Sequence, residues 1–406
     1  MREIILISFL GPDQPNQFTR LMQVLSAHSL QILDVGQAVI HNQLTLGIVV
    51  ASEDQTATAL AMKEILILAH DIGLTVRFKP ISATEYDQWV KEGGRTRYIV
   101  TALAPELNAS HLQAVTQIVS AQGFNIETVT RLSGRPALDG HSSGPKRACV
   151  EFGLKGQMLD AAAMRAACLR LSTELNVDVA VQEDNAYRRN RRLVCFDMDS
   201  TLIEQEVIDE LAIEAGVGAQ VAEITERAMQ GELDFQQSFR ARVALLKGMD
   251  ASVLPKIAER LTITEGAERL ISTLKALGYR TAILSGGFQY FAEYLQSKLD
   301  IDEVHANALD VQDGVVTDEA KGHIVDGARK AFLLGEIAQE MGISLEQTIA
   351  VGDGANDLPM LSIAGLGVAF RAKPLVRQNA NQAISSVGLD GVLYLLGVHD
   401  KDLNRA

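Results

Sequence analysis

Four short apolar runs in the second half of the chain constrain its fold more than any other feature. They are LVCF (193–196), RTAIL (280–284), TIAV (348–351) and LGVAF (366–370). Each is rich in Val, Ile, Leu or Phe and lacks the apolar–polar alternation of a half-exposed strand. Such runs read as strands buried on both faces. Helical stretches separate them. One spans Gly266 to Leu277, places Leu270, Ile271, Leu274 and Leu277 on one face, and stops at Gly278. The expectation is an α/β domain over 193–398, a parallel sheet with helices on both faces. Residues 202 to about 264 form a long, mostly helical insertion after the first strand, which predicts a helical cap over the strand ends.

Ligands bind beyond the carboxyl ends of the strands in open α/β sheets. LVCF is followed by Asp197-Met198-Asp199-Ser200-Thr201, RTAIL by Ser285-Gly286-Gly287, and TIAV by Gly352-Asp353-Gly354-Ala355-Asn356-Asp357. Lys330 opens the helical stretch GARKAFL (327–333). Carboxylates, a hydroxyl, glycines and one ammonium therefore converge on one sheet edge. Phosphoryl transfer has a use for each. A carboxylate such as Asp197 can attack phosphorus and form an acyl phosphate. A second carboxylate two residues on, Asp199, can hand a proton to the leaving alcohol and later take one from water. Mg2+ held by Asp197 and Asp353 would neutralise the incoming charge. Ser285 and the Gly286 N–H can hold a phosphate oxygen, and Lys330 adds a fixed positive charge. Taken singly, a DxD after a strand fits a turn, Lys330 a surface lysine, and Asn356 with Asp357 a helix cap. The ordered set at successive strand ends is far more specific.

FDMDST, SGG, Lys330 and GDGAND resemble the four motifs of haloacid-dehalogenase-type (HAD) phosphatases, with a Rossmann-like sheet. EVIDELA after the first motif, AMQGELDFQQSFRARVALLKG (228–248) and the LSGGF turn extend the resemblance to the phosphoserine phosphatase family, over about 193–398. It implies Asp197 as nucleophile and Asp199 as general acid/base. It implies a Mg2+ site of Asp197, the Asp199 carbonyl, Asp353 and, through water, Asp357, with Asn356 supporting the site. It also implies a substrate, O-phospho-L-serine, whose carboxylate meets Arg242 and whose ammonium meets Glu206, under the apolar residues Met229 and Phe235. Arg240 lies two residues from Arg242, but on a helix the two point about 200° apart, so only one can face the site. The expected reaction yields L-serine and phosphate, the last step of L-serine biosynthesis. The alternative is a related small phosphorylated amino acid or alcohol.

The first half carries a faint internal repeat. REIILIS (2–8) is echoed by RYIVTAL (97–103) and SAHSLQI (26–32) by SAQGFNI (120–126), an offset of about 95 residues. Each unit, 1–80 and 97–182, reads β-α-β-β-α-β, with a Gly/Pro/Ser-rich loop at 133–145 in the second. The two ferredoxin-like units and the turn GPDQPN (11–16) resemble ACT domains, which implies L-serine feedback and a homodimer. The chain departs from that pattern at Asn16, where such turns often carry glycine, and in the glycine-free turn APELNAS (104–110). Two segments read as linkers, 81–97 with Trp89, and EDNAYRRNRR (183–192), whose arginines are expected to be solvated.

Composition narrows the alternatives. The 406 residues exceed one core, and a net charge of −14 argues against nucleic acid as partner. Cys149, Cys168 and Cys195 form no CxxC and read as free buried thiols of a reducing compartment. Glu3 interrupts the first apolar run and no stretch reaches the ~20 apolar residues of a membrane span. A cytoplasmic enzyme is expected. A vestigial catalytic half serving an amino-acid sensor is disfavoured by the intact Asp197, Asp199, Lys330 and Asp353 set.

Overall fold

The computed structural model describes residues 2–92, 96–136 and 146–403. The chain divides into two compact units, Met1–Arg95 and Thr96–Ala406. The first runs β1 (Glu3–Pro12), α1 (Gln17–Ala27), β2 (Gln31–Ile40), β3 (Gln43–Ser52), α2 (Gln55–Asp71), β4 (Thr75–Ile81) and α3 (Ala83–Glu92). Its antiparallel sheet has the order β2-β3-β1-β4. Leu21 and Leu25 of α1 and Ala61 and Ile65 of α2 meet Ile5, Ile7 and Phe9 of β1 in one core. Asn16 precedes α1 at φ 67°, the left-handed region where glycine costs least and asparagine is tolerated. The expected 81–97 linker is mostly the helix α3. Tyr86 of α3 packs with Ile4, Leu6 and Val49 on the sheet's other face, which would otherwise lie open.

The second unit begins with the same motif: β5 (Arg97–Ala104), α4 (Ala109–Ala121), β6 (Asn125–Arg131), β7 (Ala148–Lys155), α5 (Ala161–Leu175) and β8 (Asp178–Glu183), in sheet order β6-β7-β5-β8. Its turn at Asn108 uses ordinary extended backbone and a capping box with His111, so no glycine is needed there. Residues 137–145 of the expected loop lie outside the described residues.

The remaining elements are β9 (Leu193–Phe196), the cap helices α6 (Val207–Glu214), α7 (Gly218–Met229), α8 (Phe235–Leu245) and α9 (Leu254–Arg260), then α10 (Ala267–Ala276), β10 (Arg280–Phe288), α11 (Gln289–Leu299), β11 (Glu303–Gln312), β12 (Val315–Lys321), α12 (Gly327–Glu340), β13 (Thr348–Gly352), α13 (Leu358–Ile363), β14 (Leu366–Phe370), α14 (Pro374–Asn379) and β15 (Gln382–Ile384). Seven strands join in the order β12-β11-β10-β9-β13-β14-β15. All pairs are parallel except β11 with β12. The four apolar runs are the four central strands, and β9 lies between β10 and β13. On α10, Leu270, Ile271 and Leu274 are buried but Leu277 is exposed, because the helix has already ended at Ala276. Burying each of those three is worth about 1.5–3 kcal/mol, more than a ten-residue helix gains from propensity.

The second βαββαβ motif and the parallel sheet share one compact unit, for reasons visible in the contacts. Leu103, Leu132, Cys149 and Ala180 enter the main core of the parallel-sheet region. Buried Asp178 accepts from the Ser385 and Ser386 N–H groups, both at 2.7 Å. The Gln382 side chain bonds both the N–H and the C=O of Val181, at 2.9 and 2.6 Å. Asp390 accepts from Arg147 and Arg269, both at 2.6 Å. Of the four arginines expected to be solvated in 183–192, Arg189 and Arg192 are exposed, and the other two are a correction. Arg188 and Arg191 are buried, Arg188 in an ion pair with Glu151 of β7, and Arg191 against Gln182 of β8 and Gly365 before β14. All three cysteines are free and buried.

Candidate active site

The strand order brings the ends of β10, β9 and β13 side by side, and the polar residues after each strand meet there. Asp197 extends β9 by one bond, its N–H donating to Val351 O at 2.9 Å. The chain then turns tightly. The N–H groups of Thr201, Leu202 and Ile203 all donate to Met198 O, and Ser200 takes φ 56°. This turn leaves both Asp197 and Asp199 on the wall of one cavity of about 570 Å³. Glu206, Phe235, Arg242, Gly286, Asp353 and Asn356 line the same cavity.

Lys330, Ser285 and Asp357 are fully buried. The Lys330 ammonium lies 2.8 Å from Asp197 Oδ1 and 2.6 Å from Asp357 Oδ1. Asp357 Oδ2 accepts from the Gly354 N–H at 2.9 Å. Its side chain folds so closely over Gly352 that a Cβ there would lie 2.4 Å from Asp357 Cγ, which explains the glycine at the strand end. Gly286 is held likewise: a Cβ would meet the Phe235 ring at 2.7 Å and Val325 O at 3.3 Å. Ser285 Oγ accepts from the Gly287 N–H at 2.9 Å and keeps its own proton to donate. Asn307 fixes this turn, donating to Gly286 O and accepting from the Val325 N–H, both at 2.8 Å.

The electrostatics follow from many carboxylates in little water. Asp199 is raised well above the usual carboxylate range by burial, then by Glu206 and Asp197. Burial, then Asp197 and Glu206, push Asp353 up to about 7. Burial, then Asp197, push Asp357 up to about 8 against Lys330 and the Gly354 N–H. Burial alone would lower Lys330, but Asp197 and Asp357 outweigh it and hold the ammonium charged. Glu206 is raised, first by desolvation at the cavity wall and further by Asp197, while Ser200 Oγ donates to it at 2.9 Å.

Oxygen atoms of Asp197, Asp353 and Asp357 all lie within 4.8 Å of one another. Three converging carboxylates against one ammonium leave excess negative charge, and hard oxygen donors suit a small divalent cation. The residues present therefore fit Mg2+. The Asp199 carboxylate stands outside that trio and accepts from the Val207 N–H at 3.3 Å.

In the cap, Arg242 is half-buried on the cavity wall, while Arg240 is exposed and bonds Gln236. Burial lowers Arg242, and Glu206, Asp209 and Asp199 oppose the shift. The Met229 side chain lies outside the described residues. Glu204 is exposed. Two charged wall residues escaped the sequence reading. Asp209 sits one helical turn after Glu206 on α6, and Lys373 follows β14. The strand-end rule, applied to LGVAF as to the other runs, finds Lys373. Its charge opposes the rise in Glu206 and Asp353.

Residues 194–362 match the model of haloacid dehalogenase-like hydrolases, and residues 3–79 match an ACT domain. The chain is 40% identical to a phosphoserine phosphatase of Streptomyces coelicolor, over 99% of this chain and 94% of that one. It is 38% identical to a phosphoserine phosphatase of Mycobacterium tuberculosis, over 99% and 95%. The chain belongs to the phosphoserine phosphatase family. A crystal structure of a probable phosphoserine phosphatase from Vibrio cholerae superposes with TM-score 0.59 at 33% identity, covering 78% of this chain and 90% of that one. This chain pairs the haloacid dehalogenase-like region with two four-stranded βαββαβ sheets.

Proposed function

We propose that this cavity hydrolyses O-phospho-L-serine to L-serine and phosphate. The observation that carries the reading is Arg242 and Glu206 on the wall that also holds Asp197, Asp199 and Asp353. Phosphoserine presents a phosphate, a carboxylate and an ammonium, and those side chains offer a partner for each. Two bonds hold Asp197 Oδ1, from Lys330 and from the Met198 N–H at 2.7 Å, which leaves Oδ2 for attack on phosphorus. As the Asp197 O–P bond forms, the bond from phosphorus to the serine oxygen breaks. Asp199, kept protonated by burial and its acidic neighbours, donates to that oxygen and L-serine leaves. The Asp199 carboxylate then takes a proton from water, whose oxygen attacks phosphorus, and phosphate leaves with Asp197 restored. Ser285 and the Gly286 N–H hold phosphate oxygens, Lys330 fixes a positive charge beside them, and Phe235 shields the site from water. Asn356 supports the loop that carries Asp353.

Asp197, the Asp199 carbonyl and Asp353 would hold Mg2+, with Asp357 acting through water. The ion would supply charge neutralisation for the incoming phosphate. A screen of phosphorylated metabolites with magnesium tests the assignment: phosphoserine should rank first, and any other ester ranking above it points to a related substrate. Asp197→Asn should abolish turnover with the far-UV spectrum unchanged.

The ACT match extends the proposal to an amino-acid effector, L-serine, and a homodimer. β2 is an exposed sheet edge carrying Val35, Val39 and Ile40, which suits pairing with a second copy. Sedimentation of the full chain should give twice the monomer mass. Among the described residues no helix is long and apolar enough to cross a membrane. The three buried free thiols fit a cytoplasmic setting.

A further inference from the structure

The segment 183–192 buries two arginines, and only one of them has a carboxylate partner. Arg188 meets Glu151. Arg191 is 6% exposed and pairs with no carboxylate among the described residues. Its terminal nitrogens donate to Gln182 Oε1 at 3.3 Å, Arg188 O at 3.4 Å and Gly365 O at 3.3 Å, all neutral acceptors at long distances. Its Nε is buried and donates to nothing. Burial and the neighbouring charge of Arg188 lower its pKa to about 10, so it stays charged at neutral pH. A buried guanidinium without a counter-ion is a large cost that folds rarely carry without a use.

Arg191 lines a cavity of about 340 Å³ between α5 and β8 on one side and β14, α14 and β15 on the other. That volume falls within the range of small-molecule sites. Arg377, half-buried on α14, lines the same cavity. Its Nη2 donates to Ser172 Oγ at 3.0 Å, and its Nε is also buried without a partner. The buried acid of the wall, Asp178, accepts from Ser172 Oγ and from Ser385 and Ser386, and among the described residues neither arginine forms an ion pair with it. Met164, Cys168 and Leu366 make the apolar part of the wall.

We propose that this cavity is a second ligand site that takes a small monocarboxylate with an apolar body. Arg191 and Arg377 bind the carboxylate, since an arginine fork matches two carboxylate oxygens. The apolar wall takes the body. Three donors from Ser385 and Ser386 already occupy Asp178 Oδ2, and Glu183, the other acid on the wall, is exposed to solvent, which favours a plain carboxylate over an amino acid. The ligand touches both the second βαββαβ motif and the catalytic sheet, so it binds their packed arrangement and stabilises it by mass action.

Calorimetry and thermal unfolding of the full chain with butyrate test this, with butyramide as the uncharged control. Butyrate should give saturable heats and raise Tm, and butyramide should not. Arg242→Ala, which removes the carboxylate partner of the catalytic cavity, should leave butyrate binding intact. Arg377→Gln, at a half-buried position that should tolerate the change better than Arg191, should weaken it by at least about tenfold. Four results would each overturn the proposal: no saturable butyrate response; equal binding by Arg377→Gln; loss of binding in Arg242→Ala; or inorganic phosphate or L-serine binding more tightly than butyrate in an Arg377-dependent way.

Discussion

Replacing Arg242 with alanine separates substrate choice from phosphoryl chemistry. Among the described residues, Arg242 makes no ion pair within 4.0 Å, and its one hydrogen bond is a long one, Nε to Ser238 O at 3.4 Å. A bound carboxylate would therefore be its main partner. Truncating one member of a buried charged pair costs about 2–5 kcal/mol. Arg242 is only half-buried, so the lower part of that range applies, about 2–3 kcal/mol. At about 1.4 kcal/mol per decade, kcat/KM for phosphoserine should fall roughly 30- to 150-fold. Ethyl phosphate has neither carboxylate nor ammonium, and its kcat/KM should change less than about threefold, since Asp197, Asp199 and Lys330 are untouched. Arg242→Lys should recover part of the loss, because charge returns without the planar fork. The assay is phosphate release under initial-rate conditions for both esters with each variant. Equal losses on phosphoserine and ethyl phosphate would falsify the assignment and make Arg242 a structural element of α8.

Two further outcomes follow from the buried charges. Lys330→Met leaves Asp197 and Asp357 without their cation and should destabilise the metal-free second unit by about 3–5 kcal/mol at pH 8. The deficit should shrink toward pH 6, because carboxylates raised above their unfolded pKa are penalised while ionised and relieved as pH falls through the folded value; denaturation curves showing a pH-independent deficit would refute this. Apparent magnesium affinity should weaken as pH drops from 8 to 6, since Asp353 near 7 and Asp357 near 8 must lose protons to face a cation. Removing the metal with EDTA should abolish turnover, and titrating magnesium back at each pH reads the affinity.

Much of the catalytic half was legible because its information is local. A buried parallel strand is a continuous apolar run, and the residue that ends it points at the ligand edge, so LVCF-Asp197 and TIAV-Gly352-Asp353 declared themselves. The same rule would have found Lys373 after LGVAF. The strands β11, β12 and β15 were not legible, because polar residues such as His305, Asp310, Asp318 and Gln382 break the apolar run. The helix α3 was hidden for a related reason. Its sequence is polar, and what holds it is a sheet face formed by residues far away along the chain.

The sequence by itself determined the two βαββαβ units, the four apolar strands, the chemistry at their ends and the left-handed turn that Asn16 can occupy, all properties of near neighbours. Tertiary structure alone decided the charge environments. EDNAYRRNRR looks like a solvated basic linker, yet two of its arginines are buried, and only packing selects Glu151 for Arg188 and leaves Arg191 facing a cavity. Lys330 could have been any surface lysine until the fold placed it within 2.8 Å of two buried carboxylates. Burial and counter-charge are sums over residues distant in sequence, so composition cannot carry them and three-dimensional packing must.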